Sequence, residues 1–403
     1  MEKLKVGVIG LGARGSDLLK QIILPMEQIQ VTAVCDLYED RTKAGAEEVR
    51  KKYGSEPFYT TNASEVIHHE QVDAVVISCA WEGHVPLAIE AMRAGKAVGM
   101  EVGGSYSVQQ CWDLVHAYEE TKTPFMFLEN CCYGRRELMV LNMVRQGIFG
   151  DIVACKGGYC HDLRDEVSGG EKNRHYRLRN YIHRNLENYP THELGPIAKV
   201  LGINHGNRMI TLTSTASRSA GLHEYIKTHM PEEEKLLHTQ FAQGDVVTTV
   251  IRCAHGETIT LVLDTTLPRY YSRDFTVRGT KGMYEEVTDS VFLDEKHKEF
   301  DFDWKPQWGN AKEYEGDYEH PIWKAFLEDG VHGSHGGMDW LVFSAFFDSV
   351  IEKKPCPIDV YDAASWMCIS ALSEESIALG GHPVAIPDFT NGAWTTSQDP
   401  MAE

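Results

Sequence analysis

Short apolar runs alternate with amphipathic stretches over the first 130 residues. The strand candidates are residues 5–9, 31–35, 74–78, 97–100 and 125–128. Between them Leu18, Leu19, Ile22 and Ile23 recur at helical spacing, as do Leu87, Ala88 and Ala91, in a helix that Gly95 is placed to end. Strand and helix in repeated alternation predict a doubly wound parallel sheet covered by helices, an α/β domain. Past about residue 150 the texture changes. Residues 152–159, 209–217, 246–252, 257–264 and 275–277 read as longer strands with few helices between them, and 253–256 as a hairpin turn. That pattern predicts an α+β domain on an open, mostly antiparallel sheet. Trp340, Phe343, Phe346, Phe347, Val350 and Ile351 form a helical apolar stripe, and residues 361–379 form another. Residues 296–318 hold Trp304, Trp308 and Tyr314 among charges and read as a long surface loop. Two domains are expected, 1–130 for a nucleotide and 131–403 for substrate and oligomerisation, the C-terminal helices belonging to the second.

Composition narrows the function classes. The 403 residues correspond to two or three domains, at roughly 150 residues each. With 42% apolar and 24% charged residues the chain is globular rather than disordered. Thirty-nine basic and 59 acidic side chains leave a net charge of −20, which disfavours nucleic acid and leaves small neutral ligands open. The ten cysteines include no C-x-x-C pair, so a zinc ribbon or thioredoxin motif is not expected. Many lie in strand-like apolar runs, as reduced thiols of a cytoplasmic protein do. No run of 18 apolar residues predicts a membrane span. The opening residues, Met1-Glu2-Lys3-Leu4-Lys5-Val6, enter a strand at once and read as lacking a signal peptide.

The first strand runs into Gly10-Leu11-Gly12-Ala13-Arg14-Gly15, a G-x-G-x-x-G that opens the first helix. Gly10 permits the tight turn, Gly12 lets backbone approach a pyrophosphate, and Gly15 lets helix and strand pack closely. The N–H groups at the start of the helix then face the phosphates. Asp36 ends the second strand, 21 residues after Gly15. A carboxylate there accepts from ribose hydroxyls and repels a 2′-phosphate, which favours NAD over NADP. The bare residue also suits a turn or a helix cap, and Arg41 is placed to meet a 2′-phosphate. Trp81-Glu82-Gly83-His84 follows the strand 74–78, Glu101-Val102-Gly103 follows 97–100, and Glu129-Asn130 follows 125–128. Such loops line the ligand crevice of a doubly wound sheet. Trp81, His84, Glu101, Val102 and Asn130 thus join the glycine loop and Asp36 as cofactor-binding candidates. Trp81 as a sheet cap and His84 as the start of a helix are equally open.

In the second half Tyr159 and His161 are two apart on a strand and share a face, with Cys160 pointing away. Arg177 lies in the basic, aromatic segment His175-Tyr176-Arg177-Leu178-Arg179. Leu194, Ile197, Ala198 and Leu201 have helical spacing and Gly202 can stop that helix. Pro196 suits the first turn, which places the helix start near His192 or Glu193. Taken alone, Tyr159, Tyr189 and Tyr271 read as core or rim tyrosines and His192 as a packed or capping residue.

The whole chain resembles the Gfo/Idh/MocA family of nicotinamide-dependent sugar oxidoreductases. That family carries Glu-Lys-Pro where this sequence has Glu101-Val102-Gly103. Glu129-Asn130-Cys131-Cys132-Tyr133-Gly134, Tyr159-Cys160-His161-Asp162, Tyr189-Pro190-Thr191-His192-Glu193 and Gly333-Ser334-His335-Gly336-Gly337 narrow the match. With Gly10–Gly15 and Trp81–His84 they resemble glycoside hydrolase family 109, NAD-dependent glycosidases whose type activity is α-N-acetylgalactosaminidase. The resemblance implies that NAD takes a hydride from sugar C3, a base removes the C2 proton, the C1 group leaves, water adds and the hydride returns. It implies substrate contact for Tyr159, Tyr189, His192 and Tyr271, and extends to Glu129, Arg177 and His161. Tyr159 or His192 is then the base at the C3 hydroxyl or C2. A tyrosinate base needs its pKa lowered by a cation such as Arg177, which alternatively holds the substrate. Tyr189 and Tyr271 would bind sugar and Glu129 orient a neighbour. His335 reads as part of a glycine loop. No metal is implied, and a homodimer or homotetramer is. The rivals are a net sugar or inositol dehydrogenase and a non-catalytic NAD-binding sensor.

Overall fold

The computed structural model describes residues 3–298 and 303–402; Met1 and Glu2 of the expected start, and 299–302 of the expected loop, lie outside the described residues. The chain forms two compact units: Met1–Tyr133 with Gly330–Ala364 and Gln398–Glu403, and Gly134–Asp329 with Ser365–Ser397.

In the first unit β1 (Leu4–Ile9), β2 (Ile29–Cys35), β3 (Phe58–Thr60), β4 (Ala74–Ile77), β5 (Ala97–Met100) and β6 (Phe125–Phe127) form one sheet. Its order is β3-β2-β1-β4-β5-β6 and its pairings are parallel. All four residues of β4 are buried, as a continuous apolar run covered on both faces requires. The strand order reverses at β1 and β4, and loops at the carboxyl ends of such strands form a ligand crevice. The three-residue β3 was too short to show a pattern.

The helix Met338–Glu352, expected with the C-terminal part of the chain, packs within this first unit. Gly99 of β5 leaves room for Phe346: a Cβ there would come within 2.8 Å of the ring's Cε1. Val342, Phe343, Phe346 and Phe347 are fully buried. An apolar stripe predicts that a helix covers a sheet without saying which sheet, and this stripe serves the parallel one.

The second unit carries β7 (Ile152–Cys160), β8 (Met209–Ala216), β9 (Val246–Cys253), β10 (Thr258–Asp264), β11 (Thr276–Gly279), β12 (Gly282–Glu285), β13 (Ser290–Leu293) and β14 (Val384–Ala385). The order is β13-β12-β11-β7-β10-β9-β8-β14, with β7 and β10 parallel and the other pairs antiparallel. The expected hairpin joins β9 to β10, where the Cys253 amide donates to the Glu257 carbonyl at 2.9 Å.

The expectation of few helices between these strands is overturned. Arg164–Ser168, Gly170–Asn173, Arg177–His183 and Thr191–Leu201 lie between β7 and β8, and Gly221–His229 and Glu234–Leu237 between β8 and β9. Most span two turns or fewer, which is too short for a 3.6-residue period to stand out from a charged segment. The expected loop likewise holds the turns Lys305–Gln307, Asn310–Tyr314 and Glu315–Tyr318. Ala311 and Tyr314 are buried there, and Glu315 pairs with Arg135 at 3.0 Å and Arg136 at 2.7 Å.

Thr191–Leu201 packs on β7 at Gly157, where a Cβ would lie 2.8 Å from Glu193 Cβ and 3.0 Å from Ile197 Cδ1. Cys155, Gly157 and Tyr159 alternate onto that face, so the strand delivers Tyr159 beside the start of the helix. Pro196 stands in the second turn, not the first as expected, and leaves the His192 carbonyl without its i+4 amide partner. Gly202 ends the helix in the left-handed region at φ 62°.

Candidate functional site

The first unit gathers the nucleotide candidates. Gly10 has φ +98° and a Cβ there would run into the Cys79 backbone, while a Cβ on Gly15 would strike the Gly10 carbonyl. Gly12 differs: a Cβ there would meet Arg41 Nη1 at 3.6 Å, in ordinary contact, so the space over the second glycine is open. The helix Ala13–Leu18 starts with no capping side chain and no acidic residue in its first turn. An open backbone and a helix start without a side-chain cap fit a dinucleotide's pyrophosphate. Asp36 is buried, and its carboxylate accepts from the Leu11 amide at 2.7 Å and the Tyr38 amide at 2.9 Å. It thereby ties the glycine loop to β2, and each oxygen keeps a second lone pair for a ribose hydroxyl. Arg41 lies over the Tyr38 ring at 4.9 Å.

Arg14, Glu101 and Asn130 meet at a residue the sequence reading missed, Asp339. This fully buried carboxylate accepts from Arg14 Nη1 at 2.7 Å and Nη2 at 2.8 Å, Asn130 Nδ2 at 2.7 Å and Ser334 Oγ at 2.6 Å. His335 Nδ1 lies 2.7 Å from it, and Arg14 also donates to Glu101 at 3.0 Å. Burial pushes the Asp339 carboxyl up, but Arg14 and His335 outweigh it and hold it well below the usual carboxylate range. His335 is thus anchored rather than a plain loop residue. No local pattern links positions 14 and 339; the pairing exists only in the fold.

Trp81 opens the helix Trp81–Arg93 and is buried, with Gly103 close against its ring. His84 Nε2 lies 3.0 Å from the Cys79 carbonyl, and complete burial lowers its pKa to about 4, so its ring is neutral. Val102 is buried and its amide donates to Glu101 at 3.3 Å. Glu129, fully buried, accepts from the Cys131 amide at 3.0 Å and caps the turn Asn130–Tyr133.

The second unit gathers the substrate candidates into one cluster. The Tyr159 and Tyr189 ring centroids are 4.5 Å apart, Tyr189 and His192 4.7 Å, and Tyr159 and His192 5.6 Å. Tyr189 Oη lies 3.5 Å from His192 Nε2, and Tyr159 Oη 3.3 Å from His161 Nδ1. The guanidinium of Arg177 lies 5.0 Å from the Tyr189 centroid and 5.9 Å from that of Tyr159. Glu166, which no local signal marked, pairs with Arg177 Nε at 3.1 Å. Tyr271 meets His161 edge-on at 5.1 Å and is half-exposed, while Tyr159, Tyr189 and Arg177 are buried.

The electrostatics correct one expectation. Burial raises the Tyr159 phenol to about 12, more than the neighbouring Arg177 lowers it. Tyr159 is therefore a protonated phenol near neutral pH, not a ready tyrosinate. Burial and then Arg177 lower the pKa of His161, so its imidazole is neutral there.

The comparisons with known proteins match the chain in two consecutive stretches. Residues 4–128 match the model for the oxidoreductase family, NAD-binding Rossmann fold, and residues 133–396 that for the glycosyl hydrolase 109 C-terminal domain. A glycosyl hydrolase family 109 protein of Stenotrophomonas maltophilia is 38% identical, over 97% of this chain and 90% of the relative. An alpha-N-acetylgalactosaminidase of Tannerella forsythia is 36% identical, over 99% and 89%. Two solved structures share the fold at 14% identity. One is scyllo-inositol dehydrogenase from Lactobacillus casei with bound NAD(H) and scyllo-inositol (TM-score 0.65, 96% of this chain and 99% of that one). The other is the WlbA dehydrogenase from Bordetella pertussis (TM-score 0.68, 96% and 98%). An NAD-binding Rossmann domain followed by a matching C-terminal domain, with relatives alike from end to end, places the chain in glycosyl hydrolase family 109.

Proposed function

We propose that the chain hydrolyses α-N-acetylgalactosaminides or related glycosides, leaving the sugar at its original oxidation level. NAD, when bound at the glycine loop, supplies reversible hydride storage for C3 of the sugar. At the C3-ketone level the C2 proton is acidified, its loss expels the C1 substituent, and water adds to the unsaturated sugar. Two protons must be taken, one from the C3 hydroxyl and one from C2. The cluster offers two groups for this, His192 and Tyr159. The C2 proton is the weaker acid and calls for the stronger base, which is the Tyr159 oxygen once its own proton has left. His192 serves the C3 hydroxyl. Arg177 holds charge beside Tyr159, and Tyr189 and half-exposed Tyr271 give the sugar aromatic and hydroxyl contacts. Gly10, Gly12, Ala13, Arg14, Gly15 and Asp36 are proposed to hold the cofactor, with Trp81, His84, Glu101, Val102 and Asn130 shaping its pocket.

The carrying observation is the chemistry of the second-unit cluster: phenols and imidazoles handle protons there, rather than the paired carboxyls of ordinary glycosidases. Val102, where relatives of the wider family have lysine, supports a reaction other than net oxidation. A panel of p-nitrophenyl glycosides, followed for nitrophenol and NADH together, tests the proposal. Nitrophenol without NADH is expected; stoichiometric NADH without nitrophenol makes the enzyme a dehydrogenase.

No disulfide joins the cysteines among the described residues, and a reducing, cytoplasmic setting is proposed. No helix among those residues is long and apolar enough to cross a membrane. A homodimer or homotetramer is proposed, and sedimentation velocity reading a monomer overturns it.

A further inference from the structure

We propose that His161 is the proton acceptor behind Tyr159, taking the phenol's own proton at Nδ1 as Tyr159 takes the C2 proton of the sugar. The inference rests on the reading of Tyr159 as the base at C2. It starts from the strand: residues 159 and 161 lie on one face, and their side chains meet with Oη 3.3 Å from Nδ1 and ring planes at 83°. Tyr271 closes on the other edge of the imidazole, its ring 5.1 Å away at 88°, so His161 is held between two phenols.

Counting donors and acceptors at the Tyr159 oxygen gives the direction of the transfer. A phenol has one hydrogen and two lone pairs. Arg177 donates to one lone pair; in the tautomer the proposal requires, the hydrogen faces Nδ1 and the neutral imidazole carries its own proton on Nε2. The remaining lone pair is where a substrate proton can arrive. It can do so without forming a doubly protonated oxygen only if the original hydrogen leaves.

In the step, the C2–H bond breaks and a new O–H bond forms at Tyr159. The old O–H bond breaks and an N–H bond forms at His161 Nδ1, leaving an imidazolium. The electron pair left at C2 forms the C1–C2 double bond, and the leaving group departs with its bonding pair. C2 is later reprotonated from Tyr159 while the imidazolium returns a proton to that oxygen; exchange of these O–H and N–H protons with solvent in between puts solvent hydrogen at C2. The imidazolium faces Glu166 and Asp162, which favour it, against Arg177 and His192, which disfavour it. In this step His161 acts through Tyr159, as a positioning residue.

The experiment uses the NAD-loaded enzyme and a p-nitrophenyl N-acetylgalactosaminide with hydrogen or deuterium at C2. His161→Asn keeps an acceptor near the Nδ1 position but cannot carry a proton. Its kcat is expected to fall about 10²-fold, the order of a lost proton-transfer group, with KM and NAD affinity unchanged and a larger C2-deuterium effect. Wild-type kcat in His161→Asn overturns the proposal. Loss of NAD affinity together with kcat assigns His161 a structural role and also overturns it. The wild-type enzyme gives a second readout that needs no variant. Two protons moving together keep the solvent isotope effect when C2 carries deuterium; a solvent effect that shrinks on C2 deuteration rules the relay out. Tyr159→Phe separates the two levels: if it keeps full kcat, the base reading itself has failed.

Discussion

Two buried residues of the first unit act in opposite charge states. His84 is neutral because full burial lowers its pKa to about 4, below the ordinary histidine value of about 6.5. The unfolded chain therefore binds the extra proton first as pH falls. His84's contribution to stability is fully present above about 6.5 and is lost between there and about 4, to the extent of a few kcal/mol. Urea midpoints measured across that window should fall with pH, and more gently in His84→Gln; equal slopes refute the assignment. Asp339 is the reverse, a charged carboxylate kept so by its donors. Asp339→Asn removes the carboxylate that pairs with Arg14. It should cost about 1–3 kcal/mol, the lower range because Arg14 is partly exposed, and weaken NAD binding through displaced Arg14 and Asn130. Denaturant midpoints and NAD titration by fluorescence check both effects. Unchanged NAD affinity would show that these residues do not set the cofactor site.

At the scale of elements, the Tyr159–His192 cluster depends on one close approach, Thr191–Leu201 against β7 at Gly157. Gly157→Ala puts a methyl where Glu193 Cβ and Ile197 Cδ1 stand and should shift the helix that carries His192. An overpacking cost of about 1–3 kcal/mol is expected, together with a loss of kcat at unchanged NAD affinity. Wild-type kcat would show that the helix position is not critical. The same element shows how far the sequence could be read. Leu194, Ile197, Ala198 and Leu201 announced the helix because its apolar period is long enough to see, and Tyr159 and His161 fell on one face because a strand's period is 2. Arg164–Ser168 and Arg177–His183 were not legible, being short, charged and stabilised by their neighbours. Their products, Glu166 and its pairing with Arg177, were hidden with them. The position of Tyr159 on its strand was legible while its charge state was not, because burial decides it.

For the whole molecule, the glycine loop and Asp36 could be read in the sequence because that motif is local. The contact between Arg14 and Asp339 could not, because the two residues are 325 apart in the sequence. The helix Met338–Glu352 covers the parallel sheet for a similarly non-local reason, the fit of Phe346 over Gly99. The chain thus returns after the second unit to complete the first, and a boundary drawn once at residue 130 misses that return. This bears on a prediction that belongs to the whole chain. In the proposed function the first unit stores the hydride and the cluster of the second handles the protons, so a redox-neutral hydrolysis would need both in one protein. A catalytic amount of NAD should then support many turnovers, with the C2 proton of recovered sugar exchanged for solvent deuterium in D2O. Mass spectrometry of the product reads that exchange directly. Hydrolysis with C2 fully retained would remove the ketone-assisted route, because no other step of the proposed sequence breaks the C2–H bond.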